Sequence, residues 1–228
     1  MLDFVGTIAT MALAVFIVVA LLLFADMSRR AKLILAGLLA LWIGLAAAAS
    51  AAGWLAIARP FPVMGLFVAA PLLAAAIAAS QPAARRAMLS LPMPLMVGLN
   101  IGRVFAVLFL LLGAEGRLSG PFPYSAAWGD IITGAAALPL LWLAHDSGRH
   151  RTAIHFWNAF GMADLVAAIG LGVASATNSP LQIFRDGAGS DAMQHLPWSF
   201  VPTVLVPLWM ILHAIIWVRL RRRVALTL

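Results

Sequence analysis

The sequence predicts an all-α, polytopic transmembrane bundle of seven helices. Three observations lead to this prediction: the chain is 64% hydrophobic and only 10% charged, its apolar residues form seven runs of membrane-spanning length, and basic residues concentrate in every second connection. Soluble domains usually contain about 25% charged residues. A chain with so few charges cannot cover a water-exposed surface, so a lipid bilayer is its expected surroundings.

The apolar runs define the predicted spans. A helix needs about 20 mostly apolar residues to cross the hydrocarbon core. Seven stretches meet this requirement, at residues 4–25, 33–57, 61–79, 92–114, 127–145, 153–176 and 198–219. The first run is longer than a signal-peptide core and has no basic segment before it, so it is predicted to be a span. No internal repeat is evident, and residues 1–228 are predicted to form a single transmembrane domain.

The basic residues predict the orientation of the bundle. Arginine and lysine favour the cytoplasmic side of a membrane. Eleven of the 15 basic residues follow spans one, three, five and seven, and three lie on the opposite side. This alternation predicts an N-terminus outside, a cytoplasmic C-terminus and a bacterial inner (cytoplasmic) membrane. The remaining basic residue, Arg103, lies inside span four.

The composition excludes several functions. The net charge of +7 does not indicate nucleic-acid binding, because the basic residues are scattered over the ends of the apolar runs. The chain has no cysteine, which excludes disulfides, thiolate metal ligands and cysteine nucleophiles. Its single lysine, Lys32, lies in a loop, so a retinal Schiff base within a span is excluded. No phosphate-binding loop, zinc helix or nucleophile elbow occurs, and no catalytic residue is predicted.

Two opposite charges inside the spans predict a polar centre. Arg103 in span four and Asp164 in span six each lie 11 residues from the predicted inner end, or roughly 16 Å at the α-helical rise. Ionised groups at this depth cost about 3 kcal/mol or more unless they find partners. An ion pair between Arg103 and Asp164 is therefore expected. It could serve as a solute site or only as a clamp between helices.

Three further polar side chains are predicted to join this centre. Asn100 lies one turn before Arg103 and shares its helix face. Asn158 lies on the same small-and-polar stripe of span six as Asp164. His213 of span seven is expected at a similar depth to Asn158.

The outer connections hold a second group of candidate residues. Tyr124, Trp128 and Asp130 precede or begin the predicted span five. They are predicted to form a mouth over an external cavity, with an interfacial aromatic belt as the alternative for the two aromatic residues. Asp130 in the first helical turn is alternatively explained by its favourable interaction with the helix dipole.

Three function classes remain open. The leading prediction is transport or binding of a small solute or ion between spans four, six and seven. The second is a haem-binding membrane subunit with His213 and His155 as axial ligands, since two histidines from different helices suffice for haem. No cofactor is required by the first prediction. The third is a structural or accessory subunit of a larger membrane complex, or a homo-oligomer, in which the polar residues serve only packing.

Four segments carry a resemblance to other proteins. They are Asn100 to Arg103, Trp128-Gly129-Asp130, the stretch from Trp157-Asn158 to Asp164, and the stretch from Pro202 to His213. Together they resemble a group of uncharacterised bacterial multi-pass inner-membrane proteins over about residues 95–220. The resemblance implies a bacterial inner-membrane location and no particular activity.

Overall fold

The computed structural model describes residues 1–57, 62–177 and 179–222. Within these residues the chain is helical and contains no β-strand. Seven helical stretches in the described part are long and apolar enough to cross a membrane, namely Leu2–Phe24, Arg29–Ala51, Val63–Ser80, Met93–Ala114, Phe122–Asp146, Arg151–Ser175 and Val201–Arg221. Phe61, the start of predicted span three, and the basic residues Arg59 and Arg223 lie outside the described residues.

Two predicted boundaries are wrong. The second helix, α2 (Arg29–Ala51), ends six residues earlier than the predicted residue 57, because Gly53 adopts a left-handed conformation with φ of 73°. The fifth span begins at Phe122 and not at residue 127, since the helix α7 (Phe122–Leu143) includes Pro123 in its first turn. A proline is tolerated there because its missing N–H would have no helical partner.

The third and fourth spans are joined by a helix that the sequence prediction missed. The helix α3 (Val63–Ser80) is followed directly by the short helix α4 (Pro82–Ser90), which begins with a proline at its first position. Ala87 of α4 is buried, whereas Arg85 and Arg86 are exposed. The basic pair therefore lies on the outer face of an amphipathic helix and not in an irregular loop.

Two contacts identify the ends of the bundle and place the end of α1 (Leu2–Phe24) and the end of α2 at opposite ends. Near the end of α1, the backbone N–H of Asp26 donates to Ser90 Oγ at 2.8 Å. At the other end, Ser50 Oγ of α2 donates to Gln194 O at 3.2 Å. We call the first of these the basic end, since it carries Arg29 and the basic residues of α4, and the second the loop end.

Spans four and seven are not regular α-helices. Span four consists of α5 (Met93–Gly98), the 3₁₀ segment Ile101–Ala106 and α6 (Val107–Ala114). Span seven starts with the π-helical turn Val201–Leu205 and continues as α9 (Val206–Arg222). Such interruptions inside a helix often mark functional segments.

The buried apolar residues form two clusters, a larger one that extends along the bundle from the basic end and a smaller one toward the loop end. The larger cluster includes Met96, Leu99 and Leu140, together with much of α9. The cluster toward the loop end includes Phe109, Phe122 and Trp198. Arg103 follows Leu99 of the first cluster and precedes Ala106 of the second, so its position on span four lies between them.

A proline in span seven creates a contact with α2. Pro207 has no N–H to donate to the carbonyl of Thr203, four residues earlier in the helix. The indole Nε1 of Trp42 donates to that carbonyl at 2.9 Å. The Trp42 ring also packs against Phe67 of α3, with 5.0 Å between the ring centroids. One tryptophan thus links spans two, three and seven.

We expect Trp42→Phe to lower the free energy of unfolding by about 1 kcal/mol, because it leaves the Thr203 carbonyl without this donor. The loss should be smaller in a Pro207→Ala background, where residue 207 regains an N–H. Thermal unfolding in detergent measures both values. Equal losses in the two backgrounds would contradict the explanation, and the exposed Trp54→Phe is the matched control.

Candidate functional site

Arg103 lies at the centre of a buried ion network. It belongs to the 3₁₀ segment of span four and is 1% exposed. Its Nε donates to Asp130 Oδ1 and its Nη2 donates to Asp164 Oδ2, both at 2.6 Å. The expected pair of Arg103 with Asp164 is therefore present, and Asp130 of α7 is a second anionic partner.

The other terminal nitrogen of Arg103 also has partners. Nη1 donates to the carbonyl of Gly161 at 3.2 Å and to His213 Nε2 at 3.0 Å. Gly161 lies on α8 (Arg151–Ser175), so one guanidinium connects spans four, five, six and seven. We call Arg103, Asp130, Asp164, Asn158 and His213 the charge centre.

Asn158 fixes the orientation and the protonation of His213. Asn158 Nδ2 donates to the backbone carbonyl of His213 at 3.1 Å, and Asn158 Oδ1 accepts from His213 Nδ1 at 2.9 Å. Because Arg103 can only donate, Nε2 must carry the lone pair and Nδ1 the proton. His213 is therefore a neutral imidazole in this arrangement. Both side chains are fully buried, as expected for a site between spans six and seven.

Haem binding would require His213 to lose one of its hydrogen-bond partners. Both ring nitrogens of His213 are engaged, so an iron ligand would have to displace either Arg103 or Asn158. His155, the proposed second ligand, packs on the ring of Trp217 with centroids 4.7 Å apart. Haem ligation therefore needs at least one of the hydrogen bonds in the charge centre to break.

Asn100 lies close to Arg103 in the chain but uses its side chain differently. Its Nδ2 donates to Met96 O at 2.9 Å within the same span. Its Oδ1 is buried and accepts no hydrogen bond from the described residues. Asn100 thus contributes a buried, free acceptor one turn from Arg103 and no direct contact with the carboxylates.

The predicted outer mouth is corrected by the structure. Asp130 lies more than two turns into α7, because this helix begins at Phe122, and it is 6% exposed. Its charge therefore pairs with Arg103 and does not cap a helix. Tyr124 and Trp128 are more than half exposed and lie one turn apart on the outward face of α7. They do not line a cavity together with Asp130.

The position of Asp130 could have been read from its neighbours. Gly129, Thr133, Gly134 and Ala137 are small residues at helical spacing, and all four are buried with Asp130 on one face of α7. Such a face packs closely against other helices in a membrane. The misplaced start of span five assigned Asp130 to a helix end and hid this pattern.

Two glycines make room for the charge centre. A Cβ atom at Gly129 would overlap Asp164 Oδ1, so this carboxylate rests directly against the backbone of α7. A Cβ atom at Gly161 would lie 2.6 Å from His213 Cε1 and 2.9 Å from Thr133 Cγ2. Neither position accepts a side chain without displacing its neighbours.

With both carboxylates ionised, the charge centre carries an excess of negative charge. Arg103 contributes one positive charge, Asp130 and Asp164 contribute two negative charges, and His213 is neutral. The arginine side chain is completely buried, whereas each carboxylate side chain is 8% exposed. The accessible part of this ion network is therefore its acidic part.

These features define a helical membrane-protein domain with a buried ion network, and its family is shown by comparison. Residues 60–221 match the family model described as a domain of unknown function, DUF8737. The chain belongs to this family. The matched region contains all residues of the charge centre and begins after α2. No curated protein and no solved structure matches the chain.

Gly129→Ala should destabilise the protein by more than about 2 kcal/mol, because the new methyl group pushes Asp164 away from Arg103 and leaves a buried charge without its partner. Gly170→Ala is the matched control, since a Cβ atom at Gly170 has no neighbour within 4 Å. That change should be neutral or slightly stabilising in a helix. Thermal unfolding compares the two variants, and Asp164→Ala should partly rescue Gly129→Ala. Equal effects of the two glycine changes would contradict the close packing.

Proposed function

We propose that the protein is a bacterial inner-membrane protein that binds or transports a small solute or ion at the charge centre. In this proposal the loop end with the N-terminus faces outward, and the basic end faces the cytoplasm, as the distribution of arginine and lysine favours. The observation that carries the proposal is the position of three ionisable groups between four candidate spans, with Arg103 and Asp130 buried and the Asp164 side chain 8% exposed. Ionisable groups at such depth commonly mark substrate or ion pathways.

The helix geometry around the charge centre supports this function. Arg103 lies on a 3₁₀ segment, and span seven contains the π-helical turn Val201–Leu205. Irregular backbone in a membrane is tolerated where it is packed in protein or lines a cavity. Segments of this kind can change conformation at a lower cost than a continuous α-helix. They are the expected moving parts of a transporter.

The two apolar clusters support an occluded state. One cluster, with Phe109 and Phe122 stacked at 6.5 Å between centroids, lies toward the loop end. The other extends along the bundle from the basic end. Only 8% of each carboxylate side chain is accessible in this conformation, so a solute would reach the charge centre only when one of the two clusters opens.

The competing role is a purely structural clamp in an accessory subunit. All three nitrogens of the Arg103 guanidinium have partners, which is what a clamp needs. A clamp does not need a second carboxylate, because Arg103 with Asp130 alone would already form a neutral pair. The extra acidic group therefore favours a binding role.

The test is Asp164→Asn in proteoliposomes. Currents are recorded on a solid-supported membrane after jumps of Na⁺, K⁺ and H⁺ and of a panel of amino acids and sugars. We expect wild-type protein to give a current after at least one of these jumps. The same current should be at least about tenfold smaller in Asp164→Asn. The variant should remain folded, because Arg103 and Asp130 still form a one-to-one pair.

Asp186→Asn, in an exposed loop, is the matched control and should behave as wild type. A response that persists unchanged in Asp164→Asn would contradict the proposal. So would the absence of any wild-type response to the whole panel, which is the result expected for a clamp.

A further inference from the structure

We propose that Asp130 and Asp164 together bind one small monovalent cation, either a proton or Na⁺. This inference rests on the proposed function in that it names the class of ligand for the same site. It is carried by the placement of the two carboxylates on Arg103, by the excess negative charge when both are ionised, and by an unpaired buried hydroxyl group on the same helix face as Asp130.

The guanidinium places the two carboxylates side by side. The N–H of Nε and one N–H of Nη2 point in parallel from the same edge of an arginine, the edge that commonly binds both oxygens of a single carboxylate. Here that edge is shared, because Nε binds Asp130 Oδ1 and Nη2 binds Asp164 Oδ2. Asp164 Oδ1 also rests against Gly129, the residue next to Asp130. The two acidic groups are therefore neighbours.

One carboxylate oxygen of each residue is left free. Asp130 Oδ2 and Asp164 Oδ1 accept no hydrogen bond within the described part of the chain, and each side chain keeps 8% of its surface accessible. Carboxylate oxygens are suitable ligands for hard cations and acceptors for a proton. A cation that reaches the charge centre meets these oxygens and not the fully buried arginine.

The charge centre is one positive charge short of neutrality when both carboxylates are ionised. Among the described spans, the other charged residues lie at or beyond the helix ends, such as Asp3, Lys32 and Arg151. They are too distant to neutralise the second carboxylate, and His213 is held neutral by Asn158 and Arg103. An uncompensated charge in a medium of low dielectric constant is strongly disfavoured. One monovalent cation restores neutrality.

A buried hydroxyl group provides an independent sign of a ligand. Thr133 Oγ1 is fully buried and has no hydrogen-bond partner in the described residues. Thr133 follows Asp130 by one turn on the buried face of α7, and its Cγ2 lies 2.9 Å from the Cβ position at Gly161, where His213 Cε1 lies at 2.6 Å, so this side chain borders the charge centre. Buried polar atoms without partners are rare in native proteins, and an ion or its bound water supplies the missing contact.

The experiment measures cation binding to the purified full-length protein in nanodiscs. Binding of ²²Na⁺ is determined by equilibrium dialysis against choline chloride. Infrared difference spectra are recorded for jumps in pH and in Na⁺ concentration, because protonated carboxyl groups and carboxylates absorb at different frequencies. The sodium form of the proposal predicts saturable binding close to one Na⁺ per chain. The proton form predicts no Na⁺ binding and a protonated carboxyl signal at neutral pH that Na⁺ does not alter.

Asp164→Asn and Asp130→Asn should each remove the carboxyl signal or weaken Na⁺ binding by at least about tenfold. Asp186→Asn should leave both unchanged. Wild-type protein with neither Na⁺ binding nor a protonated carboxyl signal would overturn the inference, even if the variants do not fold. In that case a current evoked by a sugar or an amino acid and lost in Asp164→Asn would still support the proposed function, so the two proposals can fail separately.

Discussion

The interaction on which the structure depends is the sharing of one guanidinium by two carboxylates. Arg103 binds Asp130 and Asp164 at 2.6 Å each, and its remaining contacts reach Gly161 and His213. Much of the local sequence follows from this arrangement. Four helices must approach one planar group, which requires glycine at positions where a side chain would collide with Asp164 or with the imidazole. Removal of a single partner from a buried ion pair typically costs about 3–5 kcal/mol, so the network also constrains the packing.

The membrane determines how the charges of this network can be compensated. A soluble protein can hydrate an unbalanced charge, whereas a span must find its compensation among neighbouring helices or from a ligand. Arg103 supplies one positive charge for two carboxylates, so one negative charge is left without a counter-charge when both are ionised. The family-matched region, residues 60–221, contains the whole network, whereas α1 and α2 lie before it. The charge centre therefore belongs to the family domain, to which α2 adds the Trp42 contact with span seven.

The sequence was sufficient to place four of the five residues of the charge centre together. Arg103 and Asp164 were predicted as partners because both lie near the middle of long apolar runs, and Asn158 and His213 followed from helix faces. Asp130 was named as a candidate but assigned to an outer mouth, because two prolines near Phe122 were read as a loop, although proline is compatible with a first helical turn. The 3₁₀ segment at Arg103 had no signal in the sequence, since its residues also fit an α-helix. Such irregularity arises from tertiary contacts and not from local propensity.

The central claim is that Asp130 and Asp164 bind the same guanidinium, and a double-mutant cycle tests it most directly. The free energy of unfolding is measured for wild type, Asp130→Asn, Asp164→Asn and the double variant. Each single change leaves a neutral one-to-one pair, so a modest loss is predicted. The double change leaves Arg103 buried without a carboxylate, and its cost should exceed the sum of the single costs by about 2 kcal/mol or more. Costs that add to within about 0.5 kcal/mol would contradict the shared guanidinium.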